Sequence, residues 1–328
     1  GGLGTDVIFG MSNTAQDSPA QFCNNFNGDV EKLFGNEGFD MIWGNSGCDA
    51  INGGPGINAL FGGDASDLIE GGDDTDFIWA GAGKDTVNAN GGIDVAFGGP
   101  GDDLIKGFAN IDLLEGGPGD DRIWGGDGAD ILIGYDGKDV LEGENGPNLL
   151  IGGNDADTLI GGPEIDLAFG GNQNDTVNGG DGLNVLFGDA DDDQLTGGNN
   201  TDVIFGNTGS DQIDGGDGSN LLFGGDGNDG ISGQGGADII FAGPGNDSIQ
   251  GGGGNNLLFG GTGQDNIQAE LGRNLAFGGA DPDTMTGGCD SEAPRDFLFG
   301  NGGGSSNSLT GNKSDKRDIL VGGTKSRC

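Results

Sequence analysis

Gly98-Gly99-Pro100-Gly101-Asp102-Asp103-Leu104-Ile105-Lys106 is one complete nine-residue unit of this chain. With its positions numbered 1 to 9, the unit recurs on both sides without an insertion or deletion. Position 6 is Asp or Asn in 28 consecutive repeats, from Asp40, Asp49 and Asn58 to Asp265, Asn274 and Asp283. Position 8 is apolar in every one of them, from Ile42 and Ile51 to Ala276 and Met285, so it must face the interior. Position 1 is Gly except at Ala80, Ala89, Ala242 and Ala269, as a chain needs where it turns sharply or another backbone comes close. A register held this long means one unit repeated and stacked rather than a globular core. Each unit reads GGxGxDxUx, a six-residue turn and a three-residue strand.

Gly116-Gly117-Pro118-Gly119-Asp120-Asp121-Arg122-Ile123 and Gly224-Gly225-Asp226-Gly227-Asn228-Asp229 carry the pattern in full. In these stretches, and across most of its length, the chain resembles the RTX-type calcium-binding nonapeptide repeats. The resemblance implies an all-β fold, a right-handed parallel β-roll solenoid with two nonapeptides in each coil. It also implies Ca²⁺ held between stacked turns by position-6 carboxylates and backbone carbonyls.

Composition leads to the cation independently. The chain has 328 residues, 79 of them Gly, and a formal net charge of −42. Gly at this level without a collagen period usually marks disorder, but a solenoid buries its core by stacking and needs little overall hydrophobicity. Tens of carboxylates a few Å apart repel one another in a compact state unless cations neutralise them. Ca²⁺ accepts the irregular, carbonyl-rich geometry of a turn better than Mg²⁺ does. So acidic a surface excludes nucleic acid as a partner. The absence of histidine removes His-based triads, His-ligated zinc and the commonest general base, and no catalysis is expected.

Consecutive repeats differ, so the true period is 18 residues. In alternate repeats positions 7 and 9 are apolar, as in Met41/Trp43, Phe77/Trp79, Val95/Phe97 and Leu221/Phe223, and only Glu115 interrupts them. The intervening repeats place polar pairs there, such as Thr86/Asn88, Gln194/Thr196 and Ser248/Gln250. Positions 7 and 9 point away from position 8 in a strand, so one of the two sheets shows solvent an aliphatic row beside an aromatic one. The position-9 row is the candidate interface: Phe9, Trp43, Phe61, Trp79, Phe97, Ile133, Ile151, Phe169, Phe187, Phe205, Phe223, Phe241, Phe259, Phe277 and Phe299. At ~4.8 Å per strand, such a stripe is ~65 Å long, more apolar surface than a monomer normally leaves exposed. The simplest partner is the same face of a second copy, giving a homo-oligomer or filament. Cover by another domain of a precursor, stacking on sugar rings, and an inward-facing stripe in a different register are the alternatives. Ice binding would need a regular flat polar array, and Glu70, Lys106, Arg122, Trp124 and Glu142 break the polar face.

The candidate calcium ligands are the position-6 carboxylates. Before the polar strands the column is Asp without exception: Asp49, Asp67, Asp85, Asp103, Asp121, Asp139, Asp157, Asp175, Asp193, Asp211, Asp229, Asp247, Asp265 and Asp283. Before the apolar strands it holds Asp40, Asp76, Asp94, Asp112, Asp130, Asp166, Asp202 and Asp238, with Asn at 58, 148, 184, 220, 256 and 274. An amide keeps an oxygen ligand but drops its charge, so calcium should be weaker or absent where Asn stacks on Asn. The competing reading is that Asp and Asn only form turns, by bonding to nearby backbone amides.

The chain divides into a strand, cap loop and first coil over 1–39, an uninterrupted roll over 40–286, and irregular terminal coils with a cap over 287–328. This gives about 15–17 coils with capped ends. Cys23 and Cys48 near one end, and Cys289 and Cys328 near the other, suit two disulfides of a secreted protein; four cysteines allow three connectivities, and free thiols are the alternative. No stretch approaches the ~20 apolar residues of a membrane span. The reading is an extracellular, calcium-stabilised structural β-roll that self-associates as a fibre, matrix or surface-layer component. The alternative is a calcium-dependent folding or binding module of a larger secreted enzyme, toxin or adhesin, or a polysaccharide-binding module.

Overall fold

In the computed structural model, the described residues are 4–10, 31–288, 296–300, 307–311, 319–322 and 324–327. They form strands, turns and bends, with no helix among them. The chain is an all-β parallel solenoid of about 15 coils of about 18 residues each. It divides into two compact units, Gly1–Pro163 and Glu164–Cys328.

Each unit holds two parallel ladders, one per face of the coil. In the first unit the apolar ladder includes Asp40–Ser46, Asn58–Asp64, Phe77–Ala82 and Val95–Phe97, and the polar ladder includes Thr86–Gly91, Leu104–Ala109 and Arg122–Asp127. The register step is 18 residues, so that Ile105 lies opposite Val87 on one side and Ile123 on the other. The first apolar strand, Asp6–Phe9, pairs with Asp40–Trp43 across a longer step, the residues between them including the stretch expected as a cap loop. Glu31–Phe34 joins the polar ladder beside Asp49–Asn52.

In the second unit, Leu167–Asn172, Val185–Ala190 and Val203–Thr208 begin the apolar ladder, and Gln194–Thr196, Gln212–Asp214 and Gly230–Ser232 belong to the polar one. After Asp283 the spacing lengthens but the ladders resume. Phe297–Phe299 pairs with Leu275–Phe277, Ser308–Thr310 with Thr284–Thr286, and Ile319–Val321 with Phe297–Phe299. Thr324–Arg327 adds one further strand, beside Ser308–Gly311, that the sequence pattern did not reveal.

The period-2 pleat builds the core. Ile42, Leu60, Ile78, Ile105, Leu114 and Ile123 in the first unit, and Leu186, Ile204, Leu222, Ile240 and Leu258 in the second, are fully buried at position 8. Their outward neighbours at 7 and 9 are half-exposed, which sets aside the inward-facing stripe.

Two local expectations need correction. Strands of three residues occur on the polar face of the second unit, but most others run to six, as in Leu104–Ala109. Pairing continues past the position-1 glycine into positions 2 and 3, with Phe108 opposite Gly126 and Ala109 opposite Asp127. The sharp turning also belongs elsewhere. Gly99 and Gly101, at positions 2 and 4, have φ of 106° and 144°, the region that favours glycine. Of the two readings of the position-1 glycine, close approach applies, since a Cβ on Gly98 would collide with Asp103 Oδ2 and the carbonyl oxygen of Gly116 in the next coil, although alanine is accommodated at 80, 89, 242 and 269.

Candidate functional site

The strand pleat turns position 6 inward at the corner of the coil, and there the candidate ligands are almost wholly enclosed. Asp40, Asp121, Asp202 and Asp211 have no exposed surface, and the rest of the position-6 column is comparably buried. One carboxylate oxygen of each has a defined task. The backbone N–H of Asp85 donates to Oδ1 of Asp103 at 2.7 Å, and that of Asp193 to Oδ1 of Asp211 at 2.9 Å, both across 18 residues. The same bond joins Asn184 N–H to Asp202 Oδ1 at 2.8 Å in the other column. Position 6 therefore clamps one coil to the next. The local turn-forming bond of the competing reading is not the bond these carboxylates make.

The second oxygen has no such partner. Oδ2 of Asp67, Asp85, Asp103, Asp121, Asp193, Asp211, Asp229 and Asp265, among others, is buried without a hydrogen-bond donor. It lies beside the position-1 glycine of its own turn and close to the next coil, since a Cβ on Gly206 would collide with both Asp211 Oδ2 and the carbonyl oxygen of Gly224 one coil further on. Acceptors thus meet acceptors in a space closed to solvent. Burial above all, with carboxylates of adjacent coils adding to it and the backbone N–H opposing it, raises Asp67 to about 9 and Asp121 and Asp193 to about 8. Asp85 and Asp103 rise to about 7 from the same burial.

Such an oxygen is satisfied either by a proton or by a cation. A buried carboxylate oxygen beside backbone carbonyls is the donor set a hard divalent ion takes. Among the described residues no three acidic, Cys or His side chains gather in metal-binding geometry. Carbonyl oxygens of the turn would therefore supply most of the ligands. The fold brings the candidate aspartates together in columns of successive coils, not in clusters.

The ladder also extends past the residues the period picked out. Asp296 accepts the Asn274 N–H at 3.0 Å after a step of 22 residues, and Asn307 accepts the Asp283 N–H at 2.8 Å after 24. The Asp296-Phe297-Leu298-Phe299 stretch carried the signal. Asp296 differs from the others, because its Oδ2 accepts the Gly288 N–H at 2.9 Å.

Outside the coil, the position-9 aromatics of the second unit form a continuous stack. Successive rings from Phe169 through Phe187, Phe205, Phe223, Phe241, Phe259 and Phe277 to Phe299 lie 4.7–5.3 Å apart and within 16° of parallel. In the first unit Phe9, Trp43 and Phe61 stack, while Phe61–Phe77 and Trp79–Phe97 are tilted. Glu115, the one charge in this row, accepts a hydrogen bond from the Tyr135 hydroxyl at 3.1 Å. Ile133 and Ile151 continue the row half-buried. A further apolar column was missed. Phe39, Ile57, Ile93 and Ile111 at position 5 are 45–57 % exposed beside the same face, and reading positions 5, 7 and 9 together as one outward set would have found them.

Of the cysteines, Cys48 is described and is not a free thiol. Cys23, Cys289 and Cys328, and with them any pairing, lie outside the described residues.

The family model for the RTX calcium-binding nonapeptide repeat matches in eleven overlapping or adjoining stretches that together run over residues 27–288. The chain belongs to this RTX repeat family. RTX repeats bind calcium, are typically non-enzymatic and are typical of secreted proteins. No curated protein matches the chain. Among solved structures, a hyperactive, Ca²⁺-dependent, β-helical antifreeze protein from an Antarctic bacterium is similar to it, at 16 % identity over 93 % of this chain and 83 % of that one, with a TM-score of 0.35. No helix of the RTX chain is long and apolar enough to cross a membrane, among the described residues.

Proposed function

We propose that this chain is an extracellular structural RTX solenoid that folds around several calcium ions held at its Asp turns and pairs with a second copy through its aromatic face. The observation that carries the reading is the outward stack from Phe169 to Phe299, half-exposed along a folded unit. An uncharged aromatic column on a chain of net charge −42 is a surface where two copies can meet without opposing carboxylates. Identical columns with the same strand spacing are self-complementary under a two-fold axis. At ~4.8 Å per strand and ~10 Å across, the nine apolar strands of the second unit offer roughly 400 Å² per copy, and the first unit adds a similar area. The total between two copies is roughly 1,600 Å², the size of a specific interface.

Calcium and pairing are coupled in this reading. The carboxylates must be neutralised before two such chains can approach, and the columns align only in the folded coil. No residues are assigned to catalysis. Disulfides from Cys23, Cys48, Cys289 and Cys328 would secure the ends in an oxidising compartment.

The test is sedimentation velocity of the full chain in millimolar calcium, beside a Phe205→Ser/Phe223→Ser variant checked by circular dichroism. The reading expects a dimer or larger species for the wild type and a monomer for a variant with unchanged β structure. A folded wild type that stays monomeric would overturn it.

A further inference from the structure

The six position-6 asparagines do more than remove charge. Their Oδ1 joins the inter-coil clamp as Asp does, with Asp202 N–H donating to Asn220 Oδ1 at 2.9 Å and Asp238 N–H to Asn256 Oδ1 at 2.9 Å. This leaves the amide nitrogen where Asp carries its orphaned Oδ2. In every one of these turns the nitrogen finds a carbonyl. Asn58 Nδ2 donates to Gly54 O at 3.1 Å and Gly56 O at 2.8 Å, and Asn148 Nδ2 donates to Gly146 O at 2.8 Å. In the second unit Asn184 Nδ2 reaches Asp181 O at 3.2 Å, Asn220 Nδ2 reaches Gly216 O at 3.4 Å, Asn256 Nδ2 reaches Gly251 O at 2.8 Å and Asn274 Nδ2 reaches Ala269 O at 2.8 Å. Asn307 is set apart, since 301–306 lie outside the described residues.

The carbonyls so engaged belong to positions 1 to 4 of the turn, the oxygen-rich surface that faces Oδ2 in the Asp turns. An amide N–H thus stands where the Asp turn needs a positive charge. We propose that each of these asparagine turns is closed by its own amide and takes no calcium, so that the calcium sites of this chain are confined to its aspartate turns. The inference rests on the reading that calcium is held at Asp turns.

The placement gives this a consequence. In the second unit the column leading into the apolar strands runs Asp166, Asn184, Asp202, Asn220, Asp238, Asn256, Asn274, while the opposite column is Asp from Asp175 to Asp283. The strands that carry Phe187, Phe223, Phe259 and Phe277 each follow an asparagine turn. Withdrawal of calcium therefore loosens the polar-strand edge first and leaves these four turns behind the aromatic stack closed. The first unit has Asp76, Asp94, Asp112 and Asp130 in succession in the same column, so between Asn58 and Asn148 its apolar edge has no such protection.

The test uses the full chain with calcium chloride alone as ligand. Asn220→Asp is expected to raise the calcium bound per chain and to lower the melting temperature in chelator by roughly 2–6 °C, with recovery in millimolar calcium. Asp211→Asn is expected to lower bound calcium while leaving the chelated melting temperature equal or higher. Hydrogen exchange of the wild type in chelator should protect the Asp202 and Asp238 amides, which donate to asparagines, longer than the Asp193 and Asp229 amides, which donate to aspartates. If Asn220→Asp binds no more calcium than a calcium-binding wild type, or Asp211→Asn destabilises the chelated chain, this inference alone is overturned. A wild type that binds no calcium overturns both this inference and the calcium reading beneath it.

Discussion

The backbone N–H of Asp103 donates to Oδ1 of Asp121 at 2.7 Å, one coil further on, and the other oxygen of Asp121 is buried without a donor. One side chain thus both fastens two coils and creates an electrostatic demand inside the turn. The clamp between coils and the proposed calcium site share the same residue.

Position 1 leaves little room beside that oxygen. A Cβ on Gly98 would meet Asp103 Oδ2 and the Gly116 carbonyl. Gly98→Ala is expected to cost about 1–3 kcal/mol, the range of overpacking in a tight site, and to weaken calcium binding. Calcium-titrated thermal unfolding of the variant measures both.

The pH dependence of the chelated protein has a definite sign. The folded carboxylates hold protons up to about 6 to 9, as in Asp139, Asp103 and Asp67, against about 3.9 in the unfolded chain. The folded state then binds more protons between these values, so stability is fully present below about 4 and is lost as pH rises through 6 to 9. Chelated protein should have a higher urea midpoint at pH 5 than at pH 8. Equal midpoints would count against buried carboxylates as the source.

Solenoid stability is carried by position 8. Leu222 is fully buried, and Leu222→Ala should cost about 2–5 kcal/mol in calcium. Thr196→Ala, on the half-exposed polar face, should stay within about 0.5 kcal/mol. Denaturant unfolding of the two variants side by side checks the difference.

Glu115 is the charge that interrupts the apolar row, held by the Tyr135 hydroxyl at 3.1 Å. Glu115→Leu joins Phe97 to Ile133 and should tighten self-association in sedimentation. Tyr135→Phe frees the carboxylate and should weaken it.

Much of this was legible because the period is strict. Position 8 had to be interior and position 6 had to be alike from coil to coil, whatever the handedness or the ion. In sequence, positions 1 to 6 look like one turn, and only the folded coil shows that Phe39, Ile57, Ile93 and Ile111 at position 5 are exposed and widen the apolar face. In sequence, the asparagines differ from aspartate by charge alone. The bonds of Asn58 and Asn256 to turn carbonyls depend on which side-chain atom the next coil's N–H has already taken, and that is a property of stacking. The late strand Thr324–Arg327 follows a shortened step that no nine-residue register could locate.

The most direct test of the central claim is the far-ultraviolet circular dichroism and melting temperature of the full chain at pH 8, in millimolar calcium and again after chelation. Calcium should give a β spectrum with a high melting temperature, and chelation should remove much of the signal and lower the melting temperature sharply, reversibly on adding calcium back. A spectrum and melting temperature that chelation leaves unchanged would contradict the claim that the buried position-6 carboxylates hold calcium.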